Sequence, residues 1–362
     1  MTTLFWISVA IVFYVYAGYP LLLAGWVRLV RRRPRKATTG GAWPAISIVL
    51  AARNEGRRLP GRIRNLLEVA YPGPREIIIV SDGSTDDTAE AVRAFGRAVR
   101  LIEVPSGGKP RALNAGVAAA SGEILVFADA RQRFSTDALI QLVGNMADPQ
   151  VGGVTGELVL DVEQAPDGRA ERASTVSEGV GLYWKYEKWL RRNESLIWST
   201  LGATGAIYAL RRSLWEPLPP DTLLDDVLAP MRAVLAGSRI VFEEQARAFD
   251  RASADAAVES RRKVRTLAGN YQILAHEPRL LLPFANPVWL QYLSHKVARL
   301  AIPWALAGAF LASAALMFDG WFYALAFALQ SAFYGLAGYG GWSEHRARRT
   351  RAFGATVTEV AR

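Results

Sequence analysis

No cysteine occurs anywhere in the chain, which excludes disulfides, thiolate metal sites and a cysteine nucleophile. Histidine is nearly as scarce: His276, His295 and His345 are scattered and do not read as a zinc cage. Charge is missing from three long stretches, Thr3 to Val27, Leu300 to Phe318 and Gly320 to Ser343. With no charged group inside them, a transporter role is disfavoured. The first stretch also lacks a convincing small-x-small cleavage site and is too long for the core of a signal peptide. At ~1.5 Å per residue it is long enough to cross a ~30 Å hydrocarbon core. The three runs predict an N-terminal anchor, bent near Gly18 and Pro20, and a C-terminal helical hairpin turning at Asp319 and Gly320.

Hydrophobic residues make up 51% of the 362, yet 21% are charged, a mixture that suits neither a fully embedded protein nor an ordinary soluble enzyme. The net charge of +10 is concentrated beside the apolar runs. Arg28, Arg31, Arg32, Arg33, Arg35 and Lys36 follow the first run, and Arg346, Arg348, Arg349 and Arg351 follow the last. That placement points to anionic membrane lipids and the cytoplasmic face rather than to nucleic acid. Three spans then put the N-terminus outside and the catalytic-sized segment between spans one and two inside, as in a multi-pass protein of the cell (inner) membrane. The expected division is 1–36 anchor and basic flank, 37–278 cytoplasmic domain, 279–299 amphipathic interfacial segment, 300–343 transmembrane hairpin and 344–362 basic tail.

Within the cytoplasmic part, β-rich runs at Ile46–Ala52, Glu76–Val80, Val99–Val104 and Glu123–Phe127 alternate with helical patterns at Arg57–Val69, Ser84–Phe95 and Pro110–Ala120. This alternation predicts an α/β fold with a mainly parallel, doubly wound sheet. Such sheets bind ligands at the carboxyl ends of their strands. Those ends are polar here: Arg53-Asn54-Glu55, Ser81 to Asp87, and Asp129-Ala130-Arg131. Ser84 or Thr85 can cap the following helix, with Asp86 and Asp87 in its first turn, which leaves Asp82 unexplained. Gly107-Gly108-Lys109 opens a helix and can approach phosphates closely while adding a cation, although the P-loop spacing is absent. Leu182, Tyr186, Trp189 and Leu190 share a helical face among Lys and Arg residues, and Leu280–Phe284 and Val288–Leu293 lead into the second apolar run. Both read as interfacial helices, the first alternatively as domain core.

The ordered segments SIVLAARNE, EIIIVSDGSTDDT, GGKPRALNAG, ILVFADA, GATGAIYALRR and LLDDVLAP resemble the inverting family 2 glycosyltransferases of the GT-A fold. More closely they are similar to the membrane-integrated branch that includes cellulose, chitin and hyaluronan synthases. The resemblance covers roughly residues 44 to 300. It implies a Rossmann-like mixed sheet with helices on both faces and a nucleotide-sugar donor, UDP-linked in the family's manner. It places Ala52, Arg53, Glu55, Asp82, Lys109, Asp129 and Arg131 on the nucleotide-sugar, where carboxylates accept hydrogen bonds from ribose hydroxyls and a base N–H. Asp129 matches the first carboxylate of Asp-x-Asp and would hold Mg2+ or Mn2+ on the diphosphate, but Arg131 stands where the second Asp is expected. Arg131 either offsets diphosphate charge itself or points to solvent.

Asp225-Asp226 matches the catalytic pair, with Asp226 as general base, although Asp225 also suits a helix start. Gly205, Arg262 and Arg265 fall on the diphosphate and acceptor side. Arg262 and Thr266 stand where the synthases carry the Gln and Trp of Gln-x-x-Arg-Trp, so the acceptor-stacking Trp is missing. The implied acceptor is lipid-linked or membrane-proximal. A processive polysaccharide synthase, working as an oligomer or with a channel partner, is the first alternative, and a non-catalytic nucleotide-sugar-binding scaffold the second.

Overall fold

The computed structural model describes residues 1–37, 41–161, 175–251 and 256–360. It divides into two compact units, Met1–Tyr19 with Ala298–Arg362, and Pro20–Val297. In chain order the helices are α1 (Thr2–Phe13), α2 (Tyr19–Leu29), α3 (Leu59–Glu68), α4 (Thr88–Arg93), α5 (Lys109–Ala118), α6 (Ala138–Gly144), α7 (Thr175–Ile197), α8 (Asp225–Leu235), α9 (Ala256–His276), α10 (Trp289–Tyr292), α11 (Ala298–Leu316) and α12 (Trp321–Val360). The strands are β1 (Ile46–Ala52), β2 (Arg75–Asp82), β3 (Arg100–Val104), β4 (Ile124–Ala128), β5 (Arg133–Phe134), β6 (Val151–Asp161), β7 (Ile207–Arg211) and β8 (Arg239–Arg251).

The larger unit is built on one eight-stranded sheet in the order β3-β2-β1-β4-β7-β6-β8-β5. The first four strands are parallel, as the alternation predicts: Ile48 lies beside Ile77 on one side and Val126 on the other. The sheet is mixed beyond β4, because β7 runs antiparallel to both β4 and β6. β1 has buried residues pointing both ways. Ile46, Ile48 and Leu50 pack under α3 and α6 with Leu59, Ile63, Leu139 and Leu142. Val49, with Ile78, Leu125 and Phe127, packs toward α5 and α8 against Leu113, Val117, Leu228 and Met231. Burial on both faces is why these strands read as unbroken Ile/Val runs rather than as alternating ones. It also leaves only the strand ends open for chemistry.

The helix expected from Ser84 begins at Thr88 instead, and neither Ser84 nor Thr85 caps it. Their bonds go elsewhere. The Asn54 amide donates to Ser84 Oγ (3.2 Å), and Thr85 N donates to Asn54 Oδ1 (2.8 Å), which laces the turn after β1 to the turn after β2. Asn54 adopts a left-handed φ of 53°, a conformation that asparagine tolerates better than most residues.

In the smaller unit α1, α11 and α12 pack through aromatic and small residues. Phe5 meets Tyr323 edge-on at 5.2 Å, Ser8 lies against Gly308, and Gln330 donates to Ser313 Oγ (3.2 Å). Among the described residues two helices, Thr2–Leu29 and Trp289–Leu316, are long and apolar enough to cross a membrane. The first contains a π-turn at Tyr14–Gly18, beside the expected bend. α12 begins with the uncharged run from Trp321 but carries Gln330, Ser331 and several glycines and tyrosines, which make it less apolar than the other two.

Part of the basic flank is used inside the larger unit. Lys36 pairs with Glu243 (2.6 Å), and the carbonyl of Arg32 accepts from Arg239 (2.9 Å). On α7, Trp189 is exposed, but Leu190 is fully buried rather than outward-facing. The side chains of Leu182, Arg348, Arg349 and Arg351 lie outside the described residues. In the segment before α11, Leu282 and Phe284 are exposed while Leu280, Val288 and Tyr292 are buried.

Candidate active site

Three turns converge at the carboxyl ends of β2, β4 and the start of α8. The β2 strand delivers Asp82, which is buried and accepts from the amides of Gly107 (2.7 Å) and Gly108 (2.9 Å). Close approach is needed on both sides of this contact. Gly83 has φ 57°, and a Cβ there would stand 2.5 Å from the Ser106 nitrogen. Gly108 has φ 86°, so it too sits where side chains are disfavoured. Asp82, the residue helix capping left unexplained, therefore fixes the loop that carries Lys109.

Lys109 opens α5 and bridges two carboxylates, Asp129 Oδ1 at 3.1 Å and Asp225 Oδ2 at 3.2 Å. Burial works against its positive charge, but Asp225, Asp129 and Asp226 together outweigh it and raise its pKa. Asp129 follows β4, its side chain partly open to solvent, and its carbonyl is held by buried Arg62 (Nε to O, 3.1 Å). Asp225 and Asp226 form the first turn of α8, where the positive helix end favours anions. Leu224, not Asp225, is the residue preceding that turn, so the pair is inside the helix rather than capping it. Asp226 Oδ2 accepts from the Gly205 amide (2.9 Å). Burial, then repulsion from Asp225, raises the Asp226 pKa; Lys109 and the Gly205 amide oppose the shift, and Asp129 adds to it.

Lys109, Asp129, Asp225, Asp226 and Gly205 are thus one connected constellation, although they come from four separate stretches of chain. Glu55 and Arg53 lie on the β1 turn. Glu55 pairs with Arg58 (2.7 Å), Arg53 is exposed, and Ala52 is buried at the strand end. Arg131 does not point to Asp129: its half-exposed guanidinium donates to Asp250 of β8 at 2.7 Å, with Gln132 on the same oxygen. Arg262 and Arg265 are exposed on α9.

Two residues were not singled out from sequence. Arg62 orients Asp129, and its position mid-helix gave no signal. Tyr208 of β7 is buried, stacked on Phe127 at 4.5 Å, and its hydroxyl has no partner within the described residues. Burial, then Asp225, Asp226 and Asp129, hold that hydroxyl protonated. Such a group is a neutral donor available to a ligand.

Residues 47–217 match the family described as glycosyl transferase family 2. The chain carries a glycosyl transferase family 2 domain. The matched segment covers β1 to β7 and ends before Asp225. Among curated proteins, the "Probable glycosyltransferase YdaM" of Bacillus subtilis (strain 168) is 25% identical over 290 residues, 75% of this chain and 67% of that protein. The poly-beta-1,6-N-acetyl-D-glucosamine synthase of Staphylococcus aureus (strain COL) is 25% identical over 242 residues, 64% of this chain but only 56% of the synthase. The chain therefore spans little more than half the length of those synthases. Among solved structures, a mannosyltransferase from Pyrobaculum calidifontis in complex with GDP-Man and Mn2+ superposes with a TM-score of 0.71 at 25% identity, covering 95% of this chain and 96% of that one. The chain is a glycosyltransferase with a GT-A-like mixed sheet.

Among the described residues no three histidine or acidic side chains stand together as a metal site. Asp129 is nevertheless open on one side and already faces a cation, the Lys109 ammonium.

Proposed function

We propose that this enzyme transfers a glycosyl group with inversion from a nucleotide-sugar to a lipid-linked or membrane-proximal acceptor. The observation that carries this reading is the grouping of Lys109, Asp129 and Asp225 around one point, with Asp226 fixed beside it by Gly205. Asp226 accepts the proton of the acceptor hydroxyl while its oxygen forms a bond to the anomeric carbon. The bond from that carbon to the diphosphate oxygen breaks, and the electron pair leaves with the diphosphate. Lys109 and the amino end of α5 offset the charge of the departing group. Asp129, with donor phosphates as the remaining ligands, suits Mg2+ or Mn2+, which prefers one or two carboxylates plus phosphates and water. Bound there, the metal would neutralise charge on the leaving diphosphate.

The membrane-proximal acceptor rests on the two apolar helices long enough to span a bilayer and on the basic residues flanking them. The likeness to poly-beta-1,6-N-acetyl-D-glucosamine synthases favours a second reading, processive polymer synthesis. Product length separates the two.

The base of the donor follows from assay. The family resemblance points to uridine, whereas the structure that matches nearly the whole chain holds GDP-Man. Purified protein in lipid, offered a panel of UDP- and GDP-sugars, should release diphosphate from one donor and yield a lipid-extractable product of one or a few sugars. Release of a long polymer would favour the processive reading, and no release from any donor would reject both.

A further inference from the structure

The catalytic pair stands at the end of an irregular stretch, Trp215 to Leu224, that the sheet does not reach. Pro217, Pro219 and Pro220 have no N–H, so this stretch has few backbone donors with which to hold itself. α8 begins without a side-chain cap, so its first turn is not locked from its own end either. Arg232 takes the Pro217 carbonyl and Thr222 the Pro219 carbonyl, and two carboxamide side chains from separate helices hold the backbone at Leu218, Asp221 and Leu223. Asn114 of α5 donates to the Leu218 carbonyl (2.9 Å) and accepts from the Leu218 amide (2.9 Å). Gln272 of α9 accepts from the Leu223 amide (2.9 Å) and donates to the Asp221 carbonyl (2.8 Å) and its carboxylate (3.1 Å). Each amide thus pairs with the loop as a neighbouring strand would. α9 reaches this position because Gly269 lies against Leu224: a Cβ there would stand 2.5 Å from Leu224 Cγ.

We propose that Gln272 and Asn114 are positioning residues that set the catalytic pair, holding the turn before Asp225 so that Asp226 meets both the Gly205 amide and the acceptor. The inference rests on the reading of Asp225-Asp226 given under Proposed function. Displacement of a catalytic group by about 1 Å costs on the order of 10²-fold in rate, so loosening a clamp two residues from Asp225 acts on turnover more than on donor binding. The donor side is anchored independently, through Asp82, Gly107 and Gly108.

The test uses the full chain in lipid with the donor that the panel identifies. Gln272→Ala should lower kcat about 10- to 100-fold, leave the donor KM within about threefold, and leave thermal unfolding and the pH profile of kcat unchanged. Gln272→Glu keeps an acceptor for the Leu223 amide but sets a carboxylate against Asp221, so it should be at least as impaired. Adding Asp221→Asn to Gln272→Glu restores a donor–acceptor pair and should recover about tenfold of the loss. A kcat for Gln272→Ala within about twofold of wild type, or a loss accompanied by a matching rise in donor KM or lower unfolding temperature, would overturn the proposal. So would absence of recovery in the double variant. If the wild-type chain transfers no sugar, the catalytic reading fails and this role fails with it; an active wild type with an unaffected Gln272→Ala overturns this role alone.

Discussion

Asp226→Asn should bind donor as the wild type does and turn over about 10²- to 10⁴-fold more slowly, the usual worth of a positioned general base. Asparagine keeps an oxygen to accept from the Gly205 amide, so the local geometry survives while the proton acceptor is lost. The wild type should show the matching pH dependence. Burial, then Asp225, raises the Asp226 pKa, and a base works only when ionised. Activity should therefore fall as pH is lowered through a value above the ordinary carboxylate range, and Asp226→Asn should lack that limb. The sign for stability is opposite. A carboxylate with a folded pKa above its unfolded one favours the native state below the unfolded value and loses that contribution as pH rises through the folded value. At neutral pH the ionised Asp226 therefore costs stability, and Asp226→Asn should melt no lower than the wild type. Near-normal turnover in this variant would remove Asp226 from its role and make Asp225 the next candidate, although Asp225 is already engaged by Lys109.

Chelation should abolish activity, and millimolar Mg2+ or Mn2+ should restore it, with Asp129→Asn nearly inactive at a loss of about 10²-fold or more. The expectation follows from charge. A developing diphosphate carries more negative charge than one guanidinium offsets, and the guanidinium nearest in sequence, Arg131, is already engaged by the buried carboxylate of Asp250. Arg131→Ala should consequently keep most of its donor affinity. Full activity in excess chelator, together with an inactive Arg131→Ala, would show instead that the protein supplies the cation itself.

The parts of this molecule legible in sequence are those governed by local pattern. The strands β1, β2, β3 and β4 stand within two residues of their expected bounds; in β1, β2 and β4 burial on both faces writes an unbroken apolar run, whereas β3 is a half-buried edge strand read from its Leu101, Ile102 and Val104. The polar residues at their ends were legible as a site because a parallel sheet gives its carboxyl edge to ligands. What was not legible depends on contacts between distant stretches. The start of α4 moved to Thr88 because Asn54 of a different turn takes the bonds that would have capped a helix at Ser84. The pairing of Arg131 with Asp250 needs β8 beside β5, a neighbour relation that no local spacing announces. The same holds for Gln272, which looks in sequence like an ordinary polar helix residue. At Leu190 the sequence left two readings open, an interfacial face or domain core, and packing buries it.

The configuration of the product at the transferred sugar tests the central claim most directly. With an α-linked nucleotide-sugar donor, proton NMR of the wild-type product should show a β-linkage, as one in-line displacement assisted by Asp226 requires. An α-linked product would contradict the account, because retention calls for a second displacement or a front-face route in which this base has no place.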